Sequence, residues 1–159
     1  GLAPDGMNLD AGNVQTVNAE LSWRRGPLWL ASEYTRTSVA NADLGDPVFD
    51  GYWLAGSWAL TGEMRPYNKK NGSFRGLPVA RGVYQGGPGA VELTARWSSI
   101  DLSDGLVDGG STDIASLGLT WWLTPVFSVS GNYRYIWNTL DGVDGTSSGF
   151  NARLLLILE

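Results

Sequence analysis

Arg24, Arg96, Arg134 and Arg153 each stand in a row of polar or small side chains set at every second position, as in Glu92, Thr94, Arg96 and Ser98. A guanidinium presented in this way is a planar fork of donors suited to phosphate or carboxylate oxygens. The same alternate positions also carry Glu20, Glu33 and Glu92. A second reading therefore stands beside the first, in which each arginine pairs with a neighbouring carboxylate and merely solvates a wall.

Other chemistry is narrowed by what the chain lacks. It has 0 Cys and 0 His, which removes disulfides, thiol nucleophiles, the usual zinc sites and Ser-His-Asp catalysis. Glu33 and Glu92 could be offered as a glycosidase pair with tryptophans as sugar platforms, but those tryptophans follow strand parity, which packing or an interfacial girdle explains. Asp101, Asp104, Asp108, Asp141 and Asp144 lack the spacing of a calcium loop and read as turn residues. "GGPGA" at 86–90 is followed by neither Lys-Ser nor a helix, so it is no phosphate loop, and "NGS" at 71–73 reads as a turn. We expect no catalytic residue, no metal and no cofactor.

The elements that must position these arginines are strands. Alternation runs through segments of about ten residues separated by Gly, Asp, Asn and Pro clusters, which predicts an all-β, antiparallel chain. Seven strands are predicted, at about 14–25, 28–39, 49–61, 90–102, 112–124, 126–138 and 148–158. Gly26-Pro27 and Thr124-Pro125 mark tight reversals, whereas "NADLGDP", "DLSDGLVDGGS" and "TLDGVDGTSSG" read as longer polar loops. Residues 62–88 form a long connection whose basic stretch, Arg65, Lys69, Lys70, Arg75 and Arg81, is either a solvated loop or a lure for anions at a pore mouth. Apart from that connection, short turns fall on one rim and long loops on the other, a habit of outer-membrane barrels.

Composition fits a surface that does not meet bulk water throughout. Charged residues make up 17% of the 159 positions, against about a quarter in ordinary soluble domains, with 8 Trp and 22 Gly. A net charge of -5 argues against a nucleic-acid partner, which needs a basic footprint. No apolar run approaches the roughly 18 residues of a membrane helix, and the absence of a charged-then-apolar opening suits a mature or truncated barrel.

The rows then separate by solvent. Leu117, Leu119, Trp121 and Leu123, Phe127, Val129, Tyr133, Tyr135 and Trp137, and Phe150, Ala152, Leu154, Leu156 and Leu158 are apolar or aromatic. Opposite them lie Ser116, Gly118, Thr120, Ser128, Ser130, Asn132, Arg134, Asn151 and Arg153. In a soluble sandwich that binds carbohydrate or protein, the apolar rows would meet a second sheet. In a membrane barrel they would face lipid, where an arginine costs about 2–4 kcal/mol at the midplane, and the polar rows would line water. Arg24, Arg96, Arg134 and Arg153 all fall on polar rows, and Arg36 falls on the apolar row near a rim.

Four stretches carry a family likeness: "SWALTGEMRPYN" (57–68), "GAVELTARWSSIDLSDG" (89–105), "LGLTWWLTP" (117–125) and "NYRY" (132–135). Together, in order, they resemble the carboxy-terminal part of the phosphate-selective porin O and P family. The resemblance implies a transmembrane β-barrel of about sixteen strands in the bacterial outer membrane, a homotrimer in contact with outer-membrane lipid. It also implies passive passage of small anions such as phosphate along inward cations, for which Arg96, Arg134, Arg153 and Arg24 are the candidates. It makes a barrel-sealing part of the "TGEMRPY" segment and places the family's lysine-rich constriction in a half not contained here. Residues 1–159 would thus be a partial barrel domain, since seven strands leave two edges that lipid cannot satisfy. The remaining strands would come from a further portion of the protein or from another chain. A barrel that does not conduct and serves as a scaffold in an envelope complex is the other reading of the same fold.

Overall fold

The structure is a computed structural model that describes residues 12–70 and 72–157. Leu158 of the last expected strand and Asn71 of the "NGS" turn lie outside them. Seven strands form one antiparallel sheet: β1 (Asn13–Arg25), β2 (Leu28–Ala40), β3 (Val48–Ala59), β6 (Ala90–Asp104), β7 (Val107–Thr124), β8 (Phe127–Leu140) and β9 (Val143–Leu156). Each strand pairs with the next long strand along the chain, a simple meander with β1 and β9 at its edges. A small hairpin, β4 (Tyr67–Asn68) with β5 (Ser73–Phe74), interrupts the connection between β3 and β6 and was not expected from the sequence. Two turns of 3-10 helix, Ala42–Leu44 and Val83–Gln85, are the helical pieces among the described residues.

The strand positions agree with the alternation, but two of the connections do not. "DLSDGLVDGGS" and "TLDGVDGTSSG" are not loops: β6 and β7 are joined through residues 105–106, and β8 and β9 through 141–142. Asp141 and Gly142 both take positive φ, 53° and 72°, the geometry of a hairpin turn whose twist matches its strands. The acidic residues there serve the turns. Asp101 Oδ1 accepts from Ser103 N at 2.9 Å, Asp108 Oδ1 from Ser103 Oγ at 3.1 Å, and Asp144 Oδ1 from Thr139 Oγ1 at 2.7 Å. Among the described residues no group of three or more acidic side chains could hold a metal ion.

β7 has 18 residues, about 60 Å of extended chain, where a tilted crossing needs about 9–11 residues. The extra length lies on the rim of residues 105–106 and 141–142, so the expected contrast of short turns and long loops is replaced by long, tightly turned hairpins.

Register shows which side chains share a face. On the apolar face Trp23, Leu30, Gly56, Ala95, Leu117, Tyr133 and Phe150 are successive partners across the sheet. Among the described residues nothing covers them: Leu21, Phe150 and Leu154 are each 71% exposed, and Leu119, Trp121, Val129 and Leu156 lie in the open rather than in a dry interior. All seven long strands belong to one sheet, so among the described residues there is no second layer of the kind a sandwich requires. Toward the hairpin rim the face turns aromatic, with Trp97 and Tyr135 each against Trp137 at 5.4 and 4.5 Å between centroids. Beyond that level it becomes charged, where Arg36 pairs in register with Asp50 and Asp50 with Asp101. An apolar belt, an aromatic collar and then charge is the order in which a barrel wall meets acyl chains, headgroups and water.

Candidate functional site

The polar face is built by the same register read at the other parity. Ser22, Ala31, Ala55, Arg96, Ser116, Arg134 and Gly149 form one row across the sheet, so two of the four candidate arginines stand in a single line. Ser116 separates them by one strand, which places their backbones about 10 Å apart. Arg153 lies in a different row, Ala59, Glu92, Thr120, Ser130 and Arg153, and Arg24 in the row of Trp29, Ser57, Thr94, Gly118, Asn132 and Asn151. The floor around the arginines is low. A Cβ on Gly118 would sit 2.6 Å from Thr94 Oγ1 and 3.0 Å from Asn132 Nδ2, so only glycine fits between them.

The four guanidinium groups have different surroundings. Arg96 rests over the Trp53 ring, 4.5 Å from its centroid, and the Trp53 indole N–H donates to Glu33 Oε2 at 2.8 Å. A cation on a tryptophan face keeps its charge while its position is fixed. Arg134 and Arg153 are exposed, and no hydrogen bond or ion pair engages either among the described residues. Arg24 is instead half-buried and tied down: it donates to the Arg65 carbonyl and lies 5.8 Å from the Phe74 centroid.

The carboxylates expected as possible partners are occupied differently. Glu92, 5% exposed, is paired with Arg65 of the long connection. Glu33 accepts from Trp53 and, at 3.4 Å, from Thr35 Oγ1, and it faces Glu20 directly across β1 and β2. Arg96, Arg134 and Arg153 are therefore not neutralised by Glu20, Glu33 or Glu92. On the polar face Glu20 and Glu33 share β1 and β2 with Arg24, and Arg96, Arg134 and Arg153 stand on β6, β8 and β9, where Glu92 is taken up by Arg65.

The described parts of the connection, residues 60–70 and 72–89, fold back over the polar face near the rim opposite the hairpins, with Lys69, Lys70 and Tyr84 left exposed. Leu77, 7% exposed, packs with Ala59 and Ala90, and Val79 and Trp122 close around them. Phe74 meets the Trp29 ring edge-on at 5.7 Å. Arg65 holds the segment, donating to Glu92 and, at 2.9 Å, to the Arg75 carbonyl. Arg81 closes its own turn on the Gly86 carbonyl at 2.7 Å, while Lys69 and Lys70 remain exposed between β4 and β5. Two of the five basic residues singled out in this connection are thus structural pins.

Two features were legible only in part. The resemblance of "TGEMRPY" implied a sealing role for the segment that holds Arg65, but its partner Glu92 is 27 residues away, and no local signal reports that pairing. The polar face is also not polar throughout. Ile114 and Ile136 face one another in the row next to Arg96 and Arg134, and Phe49, Ile100 and Leu102 lie further toward the hairpins. Their parity was visible, but they stood outside the short polar rows read from each strand.

A model of the phosphate-selective porin O and P family matches residues 4–151. An uncharacterized protein of Caulobacter vibrioides is 31% identical over 94 residues, covering 58% of this chain and 19% of that protein. The chain thus spans about a fifth of the length of the curated relative it matches.

Proposed function

The chain belongs to the phosphate-selective porin O and P family, and from that premise we propose that it forms the carboxy-terminal part of a bacterial outer-membrane barrel through which small anions, phosphate among them, diffuse passively. The apolar face meets outer-membrane lipid and the polar face lines the aqueous passage. Arg96, Arg134 and Arg153 supply the positive wall that replaces part of an anion's lost hydration. Arg24 contributes mainly by anchoring the inward segment, through its bond to the Arg65 carbonyl. The full barrel is a homotrimer and works without catalysis or cofactor, driven by the concentration gradient.

The observation that carries this reading is the unneutralised pair in one row. Arg96 and Arg134 stand across Ser116 on the polar face, while the nearest buried carboxylate, Glu92, is spent on Arg65. Two guanidinium groups facing water with their charge intact favour anions over cations in any passage that this wall lines.

The test is a reversal potential in a salt gradient, measured on the full-length protein in planar bilayers. The unaltered barrel should prefer chloride to potassium. Arg96→Ala with Arg134→Ala should move the reversal potential toward zero or past it. A protein that inserts without conducting, or a double variant with unchanged selectivity, would overturn the proposal.

A further inference from the structure

We infer that the wall favours amphiphilic organic anions, a phosphate or carboxylate joined to an apolar body, over the bare inorganic ion; the inference rests on the reading of the polar face as a channel wall. A hollow of about 440 Å³ opens on that face between β2, β3 and β6, within the size range of small-molecule sites. Phe49, Trp53, Ile100 and Leu102 supply most of its apolar lining, and Glu33, Thr35, Thr37 and Ser98 its polar edge, so the hollow takes the apolar body while the charged end stays toward Arg96; Glu33 is occupied there by the Trp53 and Thr35 donors. Gly51 is the reason it is open. A Cβ there would already be in contact with Ile100 Cγ1 at 3.7 Å, so any larger side chain would start to fill the space.

The charge lies next to the grease. Trp53 forms part of the hollow and at the same time carries the Arg96 guanidinium 4.5 Å from its ring centroid. One row from Arg96 and Arg134, Ile114 and Ile136 form a directly opposed pair on β7 and β8. Inorganic phosphate is hydrated on every side and gains nothing from isoleucine. An ester or carboxylate with an alkyl or aryl group can place its charged end on the arginines and remove its apolar end from water against this patch.

The experiment uses the full-length porin in planar bilayers, with chloride current blocked by either inorganic phosphate or phenyl phosphate at a pH where both are dianions. Phenyl phosphate should reach half-block at about a tenfold lower concentration, the factor expected for one half-buried ring. In Phe49→Ser with Ile100→Ser, two residues of the hollow's lining, that difference should shrink to about twofold or less. Should the serine variant fail to insert, methyl, butyl and phenyl phosphate on the unaltered protein provide the measurement, with half-block falling as apolar area grows. Equal half-block for all these anions would overturn the inference, and that is the result expected if another segment of the protein covers the hollow. An advantage undiminished in the serine variant would overturn it as well. Absence of current, or a cation-selective current, would remove the channel reading itself and the preference with it.

Discussion

Removing the Arg65 side chain should release the inward segment without unfolding the barrel. Arg65 and Glu92 form an ion pair in which the two side chains retain 21% and 7% of their exposure. Stranding one member of a fully buried pair costs about 3–5 kcal/mol, and the residual access of water to Arg65 reduces this to about 2–3 kcal/mol. The other anchors, Leu77 in its small cluster and Phe74 against Trp29, survive the substitution. The segment should therefore still dock but open more often, by a factor of about 30 to 150. Chymotrypsin reports this directly on the full-length protein in detergent. Phe74 is held under Trp29, whereas Tyr84 is 90% exposed and provides an internal reference cut. In Arg65→Ala the initial rate of cleavage after Phe74, relative to that after Tyr84, should rise by about that factor. Adding Glu92→Gln should recover much of the protection, because the cost lies in the stranded carboxylate. A single variant within about threefold of the unaltered protein, or a double variant no better than the single, would refute the account of Arg65 as the latch.

Three further substitutions test the fold itself. Leu119→Arg puts a cation between Leu93 and Gly131 on the apolar face and should cost about 2–4 kcal/mol in urea titrations of the full-length barrel in lipid, whereas Asn132→Lys on the opposite face should change stability by about 0.5 kcal/mol or less. Gly142→Val forces a β-branched residue to a φ of 72° at the β8–β9 turn and should cost about 1–2 kcal/mol in the same titration, with no change in ion selectivity.

The strands were legible because one face of each is oil and the other is not, and a period of two survives wherever that contrast holds. It fails where both faces meet water. Residues 101–113 and 138–147 are mostly polar, and their few apolar residues, Leu102, Leu106, Val107, Leu140 and Val143, do not recur at every second position, so the sequence shows no sustained alternation there even though the chain stays paired on either side of each turn. The Asp-Gly dipeptides were a clue to tight hairpins, but each segment holds two of them, Asp104-Gly105 and Asp108-Gly109 in one and Asp141-Gly142 and Asp144-Gly145 in the other. Only pairing with the partner strand selects the pair that turns. For the site, parity alone placed Arg96, Arg134 and Arg153 on the polar face. That Arg96 and Arg134 fall in one row needed the register between β6, β7 and β8, and the role of Arg65 needed a contact that spans most of a long connection.

Between the backbones of Arg96 and Arg134 lie about 10 Å and the small side chain of Ser116. Nothing as bulky as either arginine stands between them in that row, so each long side chain has room to swing across the gap. Under the proposed channel reading, the two would share a passing anion together or by turns, a wet and mobile hold rather than a fixed clasp.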